Sequence, residues 1–271
     1  MRYRSRIIAA LALLLSFVPF ACGPAEPLGP TSERELVVFA AASLRDVFTT
    51  LQGHFTRAHP GVELTFNFAG TQELRTQLEQ GAGADVFASA DHLHMAELVA
   101  ASLATSPVIF ARNEPVIVVA KEAATTIRGL ADLPTAPRIV IGTPEVPIGR
   151  YTLSLLDRAS LTWGADFRAR VEARVASREL NVRQVLNKVR LGEAQAGVVY
   201  KSDAAAARGQ VEIVTIPPDI NIVAEYPIAV LAGAAHPKLA RAWLSLVLSA
   251  DGQRVLGDAG FLAPSESSSS P

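Results

Sequence analysis

The chain has a single cysteine, Cys22, in 271 residues. That excludes an intramolecular disulfide and a cysteine-based zinc site. Basic residues are not in excess: 25 Lys and Arg stand against 26 Asp and Glu, for a formal charge of −1. A strongly basic nucleic-acid binder is excluded on that balance. No apolar run reaches the roughly 20 residues a membrane-spanning helix needs. Repeats at solenoid spacing are absent, which argues against an adhesive or structural surface protein. The sequence has no Gly-x-Ser-x-Gly elbow, no His-Glu-x-x-His and no Gly-x-x-x-x-Gly-Lys loop. What it does have is 49% hydrophobic residues and enough length for one large domain or two modest ones.

The first segment reads as an export signal. Arg2, Arg4 and Arg6 precede a twelve-residue apolar run, Ile7 to Val18, which Pro19 follows. The run is too short to span a bilayer and fits a signal peptide over residues 1–21. Cys22 stands just after it and resembles the lipidated cysteine of a lipobox, although Pro19 and Phe20 depart from the usual residues. Ordinary cleavage nearby, leaving a free or removed thiol, is the alternative. Loss of 1–21 removes three arginines and no acid, taking the formal charge from −1 to −4. Residues 22–33 hold three prolines and read as a flexible tether. The serine-rich 265–271 reads as a disordered tail. The folded body is expected over 34–264, in an exported protein held at the cell envelope by Cys22.

Along the body, short apolar runs alternate with helical spacing. LVVFAAA (36–42) reads as a buried strand. Ser43 follows it, and Leu44, Val47, Phe48, Leu51 and Phe55 then recur at helical intervals. The unit repeats through strands at 62–68, 85–88, 116–120, 138–142, 196–200, 211–216 and 228–231. Helices are expected at 71–80, 91–100, 149–159, 182–191, 202–207, 238–248 and 252–256. This alternation predicts an α/β architecture with largely parallel sheets.

In such sheets ligands sit at the carboxyl ends of strands. Those ends carry Ser43, Ala69-Gly70-Thr71, Val146-Pro147-Ile148-Gly149, Asn181-Val182 and Tyr200. They offer hydroxyls and helix N-termini, with no acid among them. Unpaired N–H groups at helix starts carry partial positive charge, so several converging on one cleft make an anion site without Arg or Lys. Taken singly, Ser43 and Thr71 equally suit N-caps, Tyr200 a half-buried core tyrosine, and Pro147 and Gly149 plain turn chemistry. His92 and His94 lie two apart, near Asp85 and Asp91, but point to different helix faces and read as solvated. Arg168, Arg170, Arg174 and Arg178 near Glu172 and Glu179 suit a solvated helix with i,i+4 pairs; a surface for a membrane partner is the second reading.

At these same residues the sequence resembles the periplasmic molybdate-binding proteins of ABC importers (ModA-type). The matching segments are VVFAAASL (37–44), FAGTQELRTQLEQGAGADVFASAD (68–91), GTPEVPIGRY (142–151), NVRQVLNKVRLGEAQAGVVYKSD (181–203) and EYPIAVL (225–231). The resemblance implies a two-lobed periplasmic-binding-protein fold, each lobe a mixed, mostly parallel sheet flanked by helices, with the ligand cleft between. Lobe one would comprise 34–113 plus 229–264, and lobe two 114–228. It further implies a monomeric receptor for molybdate or tungstate that serves an ABC permease. The oxyanion would be held by the hydroxyls of Ser43, Thr71 and Tyr200 and the backbone N–H groups of Ile148 and Val182. Neither a cofactor nor a direct protein–metal ligand is expected. Thr71 replaces a more usual serine and Ile148 a smaller residue. Donors that cannot accept would reject an oxyanion that still carries a proton. Lobe closure on the anion would display the form a permease reads. The alternatives are a receptor for another tetrahedral oxyanion such as sulfate, or an α/β enzyme acting on an anionic substrate. A regulatory effector domain is disfavoured, because an export signal stands where a DNA-binding motif is needed.

Overall fold

Each strand-to-helix unit of the sequence pattern finds its place in one of two five-stranded sheets in a computed structural model that describes residues 35–265. The segments expected to be a signal peptide (1–21) and a tether (22–33), Cys22 among them, and the expected tail beyond 265 lie outside the described residues.

The first sheet begins with β1 (Glu35–Ala41), an apolar run buried along nearly its whole length. A short 3₁₀ turn at Ala42–Leu44 leads into α1 (Arg45–Ala58). Then come β2 (Glu63–Ala69), α2 (Thr71–Glu79), β3 (Val86–Ala88), α3 (His92–Ala100) and β4 (Ala104–Asn113). The chain crosses to the second sheet at Glu114. There β5 (Pro115–Val119) is buried throughout, and β6 (Ile139–Gly142), α4 (Pro147–Trp163), α5 (Phe167–Glu172), β7 (Val175–Glu179), α6 (Val182–Arg190), β8 (Ala196–Tyr200), α7 (Lys201–Ala206) and β9 (Glu212–Val214) follow. It returns to the first sheet as β10 (Ala224–Leu231) and ends in α8 (Pro237–Leu248) and α9 (Ala250–Asp258). The sheet orders are β2-β1-β3-β10-β4 and β7-β6-β8-β5-β9.

The sheets are mixed, with more antiparallel pairing than the sequence suggested. In the first, β1 is parallel to β2 and β3, while β10 is antiparallel to β3 and β4. In the second, β6 is parallel to β7 and β8, while β5 is antiparallel to β8 and β9. The antiparallel members sit where the chain crosses: β4 and β5 on the way out, β10 on the way back. The two crossings run side by side. Ala224 pairs with Asn113, and Asn221 donates from Nδ2 to the Pro115 carbonyl at 3.1 Å.

Three features differ from the sequence reading. β10 starts at Ala224, so a lobe boundary at 228/229 falls inside a strand that belongs wholly to the first sheet. Pro227, which lacks an N–H, sits at a register break against β4 and not at a strand end. β4 was not expected, because Pro107 and the polar residues around it mask its apolar positions. The arginine-rich stretch is not one helix: α5 stops at Glu172, and Val175–Glu179 is an edge strand on β6. An edge strand has a solvated side, so its sequence need not look apolar. Arg168 pairs with Glu172 at 3.0 Å and Asp157 at 2.7 Å, Arg178 reaches Glu172 at 2.7 Å, and Arg174 donates to the Pro134 carbonyl.

The first lobe is pinned by Trp243 of α8, which is fully buried. Its ring meets Phe48 and Phe55 of α1 and Phe66 of β2 edge-on, with centroids 5.2, 5.5 and 5.6 Å away. Helix α8, late in the chain, is thereby fastened onto the first helix and the second strand, so early and late parts of the described chain share one core. Trp243→Ala is expected to lower the unfolding free energy by about 3–5 kcal/mol, read from equilibrium denaturation in urea. A change within the ordinary surface range of about 0.5 kcal/mol would show that this contact does not pin the lobe.

Candidate functional site

The carboxyl ends of β1, β2, β6, β7 and β8 open on one cleft between the sheets. Ser43, Thr71, Ile148, Val182 and Tyr200 all line it, together with Ala41, Ala42, Ala69, Gly70, Ala90, Val146, Pro147 and Asn181. The structure thus brings together all five residues singled out in the sequence. No charged side chain lines the cleft, and its walls lie close together.

Each wall supplies donors for a local reason. Pro147 is the first residue of α4, where its missing N–H costs nothing, so Ile148 and Gly149 present the free amides of that helix start. Gly149 has no alternative: a Cβ there would overlap the Thr143 carbonyl oxygen. Asn181 caps α6 by accepting from Gln184 N–H at 3.1 Å, which leaves the Val182 amide unpaired in the first turn. Gly70 is the N-cap of α2, and its N–H is taken by the Glu73 carboxylate at 2.9 Å. Thr71 opens the same helix, and its Oγ1 accepts from Ala90 N–H at 3.3 Å, leaving its own proton free. Ser43 Oγ lies 3.0 Å from the Tyr226 hydroxyl.

The Tyr200 hydroxyl is buried and has no hydrogen-bond partner among the described residues. Buried polar groups are nearly always paired, so this one points to an absent acceptor. Burial holds the phenol well above its usual pKa, with the neighbouring Tyr226, Tyr151 and acids adding to the effect. It therefore faces the cleft as a neutral donor.

Four contacts bridge the sheets around the cleft mouth. Arg183 of α6 pairs with Asp46 of α1 at 2.7 Å. Arg150 of α4 pairs with the buried Asp91, which caps α3. His94 Nε2 donates to the Glu145 carbonyl at 3.1 Å, and Gln72 Nε2 donates to the Leu180 carbonyl at 2.8 Å. His94 was expected in solvent and is buried; His92 is exposed and pairs with Glu225 at 2.6 Å. Behind the mouth, Asp203 is fully buried at 2.7 Å from Arg183 Nε, and desolvation pushes its carboxyl up to about 6 against the pull of that guanidinium. The described residues contain no cluster of His, Cys, Asp and Glu fit to hold a metal ion. Tyr226, Asp91 and Arg150 escaped notice in the sequence as parts of the site. All three lie inside the segments that carry the family resemblance, but none ends a strand with a hydroxyl.

Two lobes, a donor-lined cleft and bridges across its mouth describe a receptor for a small solute. Residues 36–262 match the bacterial extracellular solute-binding proteins, and the chain belongs to that family. More particularly, it is 43% identical over 252 residues to the molybdate-binding protein ModA of Mycobacterium tuberculosis, covering 90% of this chain and 92% of that one. It is 33% identical over 212 residues to ModA of Escherichia coli, covering 74% and 79%. Among solved structures, the periplasmic molybdate-binding protein of Azotobacter vinelandii superposes with a TM-score of 0.74 at 20% identity, over 84% of this chain and 99% of that one. The sulfate-binding protein SubI of M. tuberculosis gives 0.77 at 20% identity, over 86% and 88%. At that identity both show a shared fold. The relatives are solute-binding proteins and not enzymes, which removes the enzyme alternative.

Gly70 offers a test of the closed cleft. Its backbone angles, φ −61° and ψ 139°, suit any residue, yet a Cβ would overlap the Leu180 carbonyl oxygen on the facing wall. Gly70→Ala is expected to weaken solute binding in the cleft at least about tenfold, the lower end of an overpacking cost, while the unliganded melting temperature stays near that of the parent. Titration calorimetry and thermal unfolding check the two halves; unchanged affinity would mean the walls do not meet as described.

Proposed function

We propose that this chain captures molybdate or tungstate in the interlobe cleft and delivers it to the permease of an ABC importer. The observation that carries the reading is a cleft lined by hydroxyls and free helix-start amides with no charged side chain. The names of the relatives at 43% and 33% identity support it. The protons of Ser43, Thr71 and Tyr200 and the N–H groups of Ile148 and Val182 reach the oxygens of one tetrahedral dianion. Its charge is met by fixed dipoles of two helix starts, α4 and α6, in a site screened from water.

Selectivity follows from the same donors. A protonated oxyanion such as hydrogen phosphate brings an O–H that finds no acceptor on the wall, and an unpaired buried donor is costly. Sulfate is fully deprotonated but has shorter bonds, so donors spaced for molybdate reach it poorly. Molybdate and tungstate are close in size and share the site. The sulfate reading weighs less, because the sulfate-binding likeness is one of fold at 20% identity. The bridges across the mouth hold the lobes together over the anion, and the closed surface is what the permease engages. The receptor acts as a monomer and uses molybdate as cargo, not as a cofactor.

Titration of residues 34–271 with molybdate, tungstate, sulfate and phosphate tests this directly. One-to-one binding of the first two, with sulfate far weaker, is the expected result. Ser43→Ala and Tyr200→Phe should each weaken molybdate binding by about 1–3 kcal/mol, as for the loss of a buried hydrogen bond. Equal affinity in both variants and the parent would overturn the site assignment, and a preference for sulfate or phosphate would overturn the choice of anion.

We further propose that Cys22 becomes the lipidated N-terminus after removal of 1–21. Cys22→Ser is then expected to abolish incorporation of labelled fatty acid and to free the protein from the membrane fraction; unaltered fractionation would favour ordinary cleavage.

A further inference from the structure

We infer that Tyr226 sets the direction in which the Ser43 proton points, and so acts as a specificity residue of the cleft without touching the anion. This rests on the oxyanion reading above. Tyr226 is on β10, is fully buried, and is not among the residues that line the cleft. Its hydroxyl lies 3.0 Å from Ser43 Oγ, and its other hydrogen-bonding neighbour is the Asn113 amide. Two hydroxyls so placed share a single hydrogen between them. If Ser43 gave its proton to Tyr226, the phenol proton would be buried without an acceptor, and Ser43 would show the cleft a lone pair. If Tyr226 donates, its proton is satisfied and the Ser43 proton is left to face the anion.

The phenol cannot swing away to escape this choice. Its ring is held edge-on by Phe261, Tyr200 and Phe110, at 5.5, 5.7 and 6.3 Å between centroids. Asn113 serves the phenol as a donor and not as an acceptor: its contact lowers the phenol's pKa, as an N–H on the phenol oxygen does, while Nδ2 also donates to Ser202 Oγ at 2.8 Å and Oδ1 is turned to Glu114 N–H at 3.0 Å. Burial also keeps the phenol protonated, since its pKa lies well above the usual value. The same arrangement recurs at Thr71, whose oxygen accepts from Ala90 N–H. A donor behind each hydroxyl turns a group able to donate or accept into one that only donates.

Tyr226→Phe keeps the ring contacts and removes only the hydroxyl. Ser43 is then free to turn and accept, so rejection of a protonated anion is relaxed. Sulfate and hydrogen phosphate at pH 8 are similar in size and equal in charge and differ by one proton, which makes them the diagnostic pair. Binding of molybdate, sulfate and hydrogen phosphate to the full chain, its Tyr226→Phe and Ser43→Ala forms and the double variant is measured by calorimetry, with displacement for the weak ligands. In Tyr226→Phe the sulfate-to-phosphate preference is expected to fall at least about tenfold, the scale of one hydrogen bond, while the molybdate-to-sulfate preference, set by size, holds. In the Ser43→Ala background the Tyr226 change should have no further effect on that preference. Equal weakening for all three anions, or additive effects in the double variant, would reduce Tyr226 to a packing residue and overturn the inference. A parent chain that binds none of the three would overturn the oxyanion reading itself, and this role with it; melting temperatures establish that every variant is folded.

Discussion

An anion held without a counter-charge requires donors that are already in place, because no mobile cation can move in to correct a poor fit. The rest of the architecture answers to that requirement. Strand ends deliver helix starts to one point, and helix starts are where the backbone has N–H groups to spare. Proline at the head of α4 and the asparagine cap on α6 decide which amides remain free. Small residues, Ala41, Ala42, Ala69 and Ala90, let the backbone approach closely from several sides. The dipoles are thus fixed by secondary structure, which is a far stiffer support than any surface lysine.

Charge has been moved from the floor of the cleft to its rim. Asp46–Arg183 and Asp91–Arg150 each place one partner in either lobe. They add little where water reaches them, but Asp91 is buried, and breaking its pair by parting the lobes would leave a carboxylate uncompensated. Solute selection and lobe closure therefore use different chemistry: neutral donors inside, ion pairs outside. The raised carboxyl of Asp203 belongs to the second group, since it supports Arg183 from behind.

The strand–helix units were legible in the sequence because β1, β5 and β8 are buried on both faces and are therefore written as unbroken apolar runs. The same logic hid β7, an edge strand with a solvated side, and made its arginines look helical. The site was legible to the extent that its residues end strands: Ser43, Thr71 and Tyr200 stand at fixed places in the pattern, and Ile148 and Val182 follow from helix starts. Composition and spacing alone left each of them with an ordinary structural explanation, and the family resemblance joined them. Tyr226 could not be found this way. It acts from the middle of a strand, and its partner Ser43 is 183 positions away.

The paired crossings between the sheets carry a consequence for signalling. Two covalent connections bound edge to edge, Ala224 against Asn113 and Asn221 against Pro115, behave as the spine of a book. Such a spine bends readily about one axis and resists torsion and sliding. On the proposed reading, occupancy would be converted into a single coordinate, open or shut, and a permease that feels the outer surfaces of both covers would read a binary state without ever sampling the anion itself.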